Sequence, residues 1–230
     1  MKHAEICGMI GKRKGERDMD YRLRLVQAGK EMLEKGLTVE TWGNLSLRDA
    51  QTGLVYLTPS AMPYHTITPE DVVVVDLQGD LVSGTRKPTV EMGLHLELYR
   101  ARREVNAIVH THPVDSQVFA VLRRPIPPII DEAAQVLGGT VRVADYALPG
   151  SEQLARNVRA AMSGRVRACL MANHGAVCVG ESMEQAFRVC TVLEMTARIY
   201  YQALSIGTPH VLSDELVDEM WDFANNRYGK

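Results

Sequence analysis

The 230-residue chain has no stretch that reaches the length of a membrane-spanning helix, which takes about 20 consecutive apolar residues. Its opening residues carry no apolar core of the kind a secretory leader uses. A cytoplasmic protein without a membrane partner is the expectation. Net charge is also scarce: 26 basic against 28 acidic side chains leave −2, so no overall field draws the chain onto nucleic acid. The one basic cluster, Lys12-Arg13-Lys14 with Arg17, lies in a polar N-terminal segment and reads as a solvated tail. The four cysteines, Cys7, Cys169, Cys178 and Cys190, show no CxxC spacing. Their mostly apolar surroundings make them reduced, buried thiols rather than metal ligands. Neither GxGxxG nor GxxxxGK[ST] occurs, so nucleotide binding has no support.

What is present fits one substantial domain. Residues 1–18 lack strong periodicity and read as an N-terminal extension; residues 19–230 read as a single domain. Apolar positions Leu23, Leu25, Val26, Ala28, Met32 and Leu33 predict a helix over Tyr21–Lys35, ended by Gly36. Thr41–Arg48 and Leu54–Thr58 predict a β-hairpin. Thr68–Asp71 has the form of a capped turn with proline at its first position. Val72–Asp76 and Leu81–Val82 predict paired strands. Thr89 is placed as the N-cap of a helix over Met92–Arg103, with Glu91 in its first turn, where the helix dipole favours an acid. His95 shares a face with Glu91 and is expected in a packed or supporting role. Further helices are expected over Val114–Leu122, from Ser151 to Met162, over Ser182–Leu204 and over Ser213–Phe223. Between them lie a proline-rich connection over Arg123–Ile130 and strands over Thr140–Ala144, Arg167–Met171 and Ala176–Val179. Hairpins alternating with helices, without a βαβ rhythm, predict an α/β fold with a substantially antiparallel sheet covered by helices.

Ala107-Ile-Val-His-Thr-His-Pro113 carries the chemistry. In a strand, residues i and i+2 share a face, so His110 and His112 project together from its end, where Pro113 stops it. Two imidazoles begin a divalent-metal site, and a catalytic zinc takes three protein ligands and one open position. His174, at the end of another apolar strand, is the favoured third ligand. Glu91 then becomes the acid/base candidate. Hydroxyls and amides cluster at Thr41, Asn44, Ser46, Thr58 and Ser60, where Gly43 permits close approach of the backbone. They suit an anion such as phosphate, although turn chemistry alone accounts for these residue types.

Thr41-Trp-Gly-Asn44, Leu57-Thr-Pro-Ser60, Lys87-Pro-Thr-Val-Glu91, His110-Thr-His-Pro113 and Asn173-His-Gly175 follow the order and similar intervals of the class II aldolase/adducin family. The resemblance spans about residues 20–230, and the L-fuculose-phosphate aldolase branch is the most similar. It implies a three-layer α/β/α fold with a central mixed, mostly antiparallel sheet. It implies zinc or another divalent ion, one per chain, on His110, His112 and His174, and a catalytic Glu91. It further implies a phosphate pocket from Thr41, Gly43, Asn44, Ser60, Ala61 and Thr89, and a homotetramer in which Tyr228 of a neighbouring subunit donates a proton. The implied reaction is reversible cleavage of a ketose 1-phosphate to dihydroxyacetone phosphate and an aldehyde.

Two departures from the resemblance bear on substrate. Val90 stands where such aldolases often carry a second phosphate-binding serine. Asp131 and Glu132 stand where the fuculose-phosphate enzymes carry a tyrosine, which makes Asp131 a candidate second-subunit acid. An acid there is similar to the ribulose-phosphate 4-epimerases, which typically have Asp in place of Glu91. Epimerase, dehydratase or decarboxylase chemistry on the same metal site is the alternative. An adducin-like interaction module is the alternative of another class, and retention of the histidines and Glu91 argues against it.

Overall fold

The structure, a computed structural model, describes residues 14–227. An eight-stranded sheet runs in the order β4-β3-β2-β1-β5-β8-β7-β6. Its strands are β1 (Asn44–Arg48), β2 (Val55–Leu57), β3 (Val73–Val75), β4 (Leu81–Ser83), β5 (Ala107–Thr111), β6 (Val143–Ala144), β7 (Ala168–Met171) and β8 (Gly175–Gly180). Every neighbouring pair is antiparallel except β6 with β7. The helices are α1 (Lys14–Glu34), α2 (Met92–Ala101), α3 (Val114–Leu122), α4 (Asp131–Leu137), α5 (Glu152–Ala161), α6 (Met183–Ile206) and α7 (Asp214–Asp222).

Strand alternation divides the interior into two cores. Leu45, Leu47, Ala107, Val109, Ala176 and Cys178 face a core completed by α1, α3, α4 and α6. Ile108, Val177, Val179, Cys169 and Met171 face a second core completed by α2 and α5. The result is the expected three-layer α/β/α arrangement with a mixed, mostly antiparallel sheet. Burial of both faces explains why β5, β7 and β8 read as continuous apolar runs rather than alternating ones. Among the described residues no helix is long and apolar enough to cross a membrane. Cys169, Cys178 and Cys190 are buried and unpaired, and burial pushes the Cys169 thiol up to about 12. Cys7 lies outside the described residues.

Three expectations are corrected. The first helix starts at Lys14, not Tyr21: its opening turns, Lys14-Gly-Glu-Arg-Asp-Met-Asp20, are polar and carry no apolar stripe for periodicity to report. Asp18, expected in the extension, pairs with Arg22 at 2.9 Å. Helix α4 follows the proline-rich connection where no element is expected; it is seven residues long and its N-cap, Ile130, supplies no capping side chain. At α2 the N-cap is Glu91 rather than Thr89. Glu91's carbonyl accepts from Leu94 and His95 at 3.0 and 3.3 Å, while its carboxylate meets His110 and Asn44 on the sheet.

Candidate metal centre

Strands β5 and β8 pair side by side, with Thr111 opposite Ala176 at one end, and this end holds the histidines. His110 is the last inward residue of β5 on the face toward α2. His112 follows the strand, held by its backbone N–H on the Leu37 carbonyl at 3.0 Å. His174 sits in the tight turn between β7 and β8, where Asn173 adopts φ +55, a left-handed conformation that asparagine tolerates. A Cβ on Gly175 would lie 2.3 Å from the Thr111 carbonyl oxygen and 3.2 Å from the His110 ring. Glycine there lets the two strands close on each other.

The three rings stand with centroids 4.8, 4.9 and 5.1 Å apart. One ligand nitrogen from each lies within 4.8 Å of the others. His110 Nδ1 lies 2.9 Å from the Ala176 carbonyl, which only accepts, so Nδ1 carries the hydrogen and Nε2 faces inward. That Nε2 is 3.1 Å from His112 Nε2 and 2.9 Å from Glu91 Oε2. Nitrogens around a tetrahedral zinc stand about 3.3 Å apart, given Zn–N bonds of about 2.0–2.1 Å. The His110–His112 spacing matches that value, and with all three ligand nitrogens within 4.8 Å the rings could hold a shared divalent ion. Glu91 Oε1 and His174 Nδ1 are buried without a hydrogen-bond partner.

Electrostatics follow from that packing. Burial works to raise the Glu91 carboxyl pKa, but His110, His174 and the Asn44 amide outweigh it and hold the group below the usual carboxylate range. Burial likewise works to lower His110, and Glu91 reverses it, keeping that imidazole above its ordinary value. Burial, reinforced by His110 and His174, brings His112 down to about 3. Burial and His110 also lower His174. A carboxylate held ionised beside three clustered imidazoles offers negative charge and ring nitrogens to a cation, which His110 would bind in its neutral form.

Around the histidines the structure brings together most of the residues the sequence singled out. Asn44 lies opposite His110 across β1 and β5, and its Nδ2 donates to Glu91 Oε2 at 2.9 Å. Gly43, at φ +71, abuts the His110 carbonyl, which a Cβ would approach to 2.5 Å. Trp42 stacks on His112, with ring centroids 6.2 Å apart. Segments 58–60 and 87–89 are zipped together: Ser60 N–H donates to the Lys87 carbonyl at 2.9 Å and Thr89 N–H to the Thr58 carbonyl at 3.1 Å. This holds Ser60 and Ala61 beside Thr89, two residues from Glu91. Ala61 itself adopts φ +56. Asp131 stands exposed at the first position of α4, and Tyr228 lies outside the described residues.

Two further residues support this arrangement, and the first of them is unforeseen in the sequence. Tyr64, buried against Gly29, donates its hydroxyl to the Gly43 carbonyl at 2.8 Å and braces that turn. His95, expected only in a packed or supporting role, is fully buried and bonds Asn44 and Ser46, both at 2.6 Å. The available signal is a stripe of polar residues, Asn44, Ser46 and Arg48, on one face of a strand that is buried throughout.

A cleft of about 210 Å³ opens at the opposite end of β5 and β8, lined by Arg102, Arg165, Arg167, Glu104, Glu181 and Trp221 among others. It contains none of the histidines.

Comparison with known proteins gives a consistent answer. The sequence model described as Class II Aldolase and Adducin N-terminal domain matches residues 23–201. The chain is 39% identical to a 5-deoxy-D-ribulose 1-phosphate aldolase of Bacillus thuringiensis serovar kurstaki, over 90% of this chain and 95% of the relative. It is 37% identical to a 5-methylthioribulose-1-phosphate/5-deoxyribulose-1-phosphate aldolase of Rhodospirillum rubrum, over 84% and 86%. Its fold superposes on a solved L-fuculose 1-phosphate aldolase with a TM-score of 0.86 at 39% identity, covering 88% of this chain and 95% of that one.

Proposed function

The chain belongs to the class II aldolase and adducin family, whose matched relatives are carbon–carbon lyases, and on that premise we propose that it is a zinc-dependent aldolase cleaving a ketose 1-phosphate to dihydroxyacetone phosphate and an aldehyde. The observation that carries this reading is the cluster of three imidazoles beside Glu91, a buried carboxylate with one oxygen that makes no hydrogen bond. An interaction module has no use for that arrangement, since an unpaired buried polar atom costs about 1–3 kcal/mol.

A divalent ion held by His110, His112 and His174 supplies Lewis-acid stabilisation for the negative charge that develops beside the ketone as the bond breaks. The chain's own residues do the rest. In the condensation direction the Glu91 carboxylate takes a proton from C3, C3 bonds to the aldehyde carbon and the carbonyl electron pair moves onto the aldehyde oxygen. Cleavage runs the same steps backwards, the C4 hydroxyl proton passing back to the group that gave it and the proton held by Glu91 to C3. No electrons enter or leave. In the condensation direction Tyr228 of a neighbouring subunit gives the proton to the aldehyde oxygen, with Asp131 as a further second-subunit acid. The phosphate is held by the Thr41, Ser60 and Thr89 hydroxyls and by backbone N–H groups near Gly43 and Ala61, with Asn44 where this cradle meets the metal ligands. Val90 offers no side-chain donor, which makes the cradle one hydroxyl poorer.

Shared sites between subunits require an interface next to the histidines. Trp42, Val90, Val114 and Leu148 are exposed large apolar side chains. Trp42 packs on His112, Val90 precedes Glu91, and Val114 opens α3 two residues past His112. We assign this rim to contacts in a homotetramer of the cytoplasm.

Because the two sequence relatives act on 5-deoxyribulose 1-phosphate by name, that compound is the first to test, beside fuculose, rhamnulose and ribulose 1-phosphates. A coupled assay for dihydroxyacetone phosphate, run on zinc-loaded protein with a chelated control, should show chelator-sensitive release from at least one of them. Bound metal with no release from any would overturn the aldolase reading.

A further inference from the structure

Behind Glu91 runs a line of buried polar side chains that bond cleavage itself does not touch. On α2 and its N-cap, Glu91, His95 and Tyr99 recur every four residues and so share one face. On β1, Asn44 and Ser46 alternate onto the face opposite them. The two stripes interlock. Asn44 Nδ2 is 2.9 Å from Glu91 Oε2, and Asn44 Oδ1 is 2.6 Å from His95 Nε2. His95 Nδ1 is 2.6 Å from Ser46 Oγ, which is 2.8 Å from the Tyr99 hydroxyl. His95 and Ser46 are wholly inaccessible to solvent and Tyr99 nearly so.

Each proton in this line is fixed by the one before it. An ionised carboxylate only accepts, so Asn44 must turn its NH2 toward Glu91 and its carbonyl oxygen toward His95. That oxygen only accepts, so His95 carries hydrogen on Nε2. Burial, against a smaller opposing pull from Glu91, brings the His95 pKa down to about 3, so the ring is neutral and Nδ1 is bare. Ser46 therefore donates its O–H to Nδ1 and accepts the O–H of Tyr99. Every donor from Tyr99 to Glu91 points the same way.

Resting on the reading of Glu91 as the proton-transfer group, we propose that His95 is a positioning residue: held as the Nε2–H tautomer by Ser46 and Tyr99, it fixes the Asn44 amide so that Glu91 Oε2 is tethered and Oε1 is the oxygen offered to substrate. With the opposite tautomer, Asn44 would turn over and set its carbonyl oxygen against the carboxylate. Ser46, which touches neither Glu91 nor a metal ligand, thus controls the state of the catalytic group through two intervening side chains.

The test is Ser46→Ala, made beside His95→Gln and His95→Leu in the metal-loaded protein. Ser46→Ala should lower kcat about 10- to 100-fold, the range for lost supporting hydrogen bonds. KM should stay within about 2-fold, with metal content unchanged. The amide side chain introduced by His95→Gln can still donate to Asn44, so that variant should retain more activity than His95→Leu. Nitrogen-15 spectra of labelled histidine, assigned by the loss of the His95 signals, should show a neutral Nε2–H ring at neutral pH in the wild type and a mixture of tautomers in Ser46→Ala. A wild-type Nδ1–H ring or an imidazolium would overturn the proposal, as would Ser46→Ala with unaltered kcat. Wild-type protein that turned over no ketose 1-phosphate would overturn the lyase reading instead, and the spectra would then decide the His95 assignment by themselves.

Discussion

The two ends of strands β5 and β8 are both rich in charge, yet they are built on opposite principles. At the Ala107–Gly180 end, each guanidinium is answered. Arg102 bonds Glu104 at 2.8 Å and the Val166 carbonyl at 2.5 Å. Arg165 pairs with Asp218, bonds the Gly138 carbonyl at 2.9 Å and lies over the Trp221 ring. Arg167 stacks on the same ring, 4.4 Å from its centroid, with Asn225 and Glu181 beside it. At the Thr111–Gly175 end, a carboxylate oxygen and an imidazole nitrogen are buried without a hydrogen bond, the oxygen 3.6 Å from His174 Nε2. The arginine end has the open cleft, but the histidine end has the unmet valence. Satisfied charge holds a fold together; buried polar atoms without partners, rare in folded proteins, mark where something is to be bound.

Gly175→Ala at the histidine end should have the largest effect. Its Cβ would meet the Thr111 carbonyl at 2.3 Å, and backbone cannot yield as a flexible side chain can. The expected cost is about 3 kcal/mol in denaturant unfolding, together with loss of metal binding, since the shift falls on His110 and His174. A second prediction uses pH. His95 has a folded pKa of about 3 against an ordinary 6.5. As pH falls below the unfolded value, the unfolded chain takes up a proton that the folded chain refuses, so stability is full above that value and declines toward acid. In His95→Gln the slope of stability against pH should be shallower by about 1.4 kcal/mol per pH unit between roughly pH 6 and 4. An identical slope in both proteins would mean that His95 is not held neutral. The smallest effect is at the other end. Arg167→Ala should cost about 1–2 kcal/mol in thermal or urea unfolding, through lost packing and ring stacking, while dihydroxyacetone phosphate release keeps its wild-type kcat. A large loss of kcat there would erase the distinction between the two ends.

How much of this is legible in the sequence depends on whether a feature obeys a local period. The His110 and His112 pair, the hairpin and the cap at Ser151 follow period-two alternation or side-chain capping, and the structure has them in place. Helix α4 offers neither a polar cap nor length. The placement of Glu91 at an N-cap is hidden because Thr89 is the better capping residue by type. Its carboxylate pairs with His110, 19 residues further along, a contact that no local rule reports. The His95 line is out of reach for the same reason: it joins a strand to a helix about 50 residues away. Its trace in the sequence, polar side chains alternating along a buried strand, has meaning only once both faces of that strand are known to be covered. Tyr64 gives no sign of its contact with Gly43.

The most direct test of the central claim compares wild-type and Glu91→Gln proteins, each loaded to the same measured metal content, for dihydroxyacetone phosphate release from the best ketose 1-phosphate. Glutamine keeps the shape and the hydrogen bond from Asn44 but cannot carry a proton. One ion per chain is expected in both, with a loss of about 10²- to 10⁴-fold in kcat for the variant, the range attributed to a positioned acid/base. Equal turnover at equal metal content would contradict that claim.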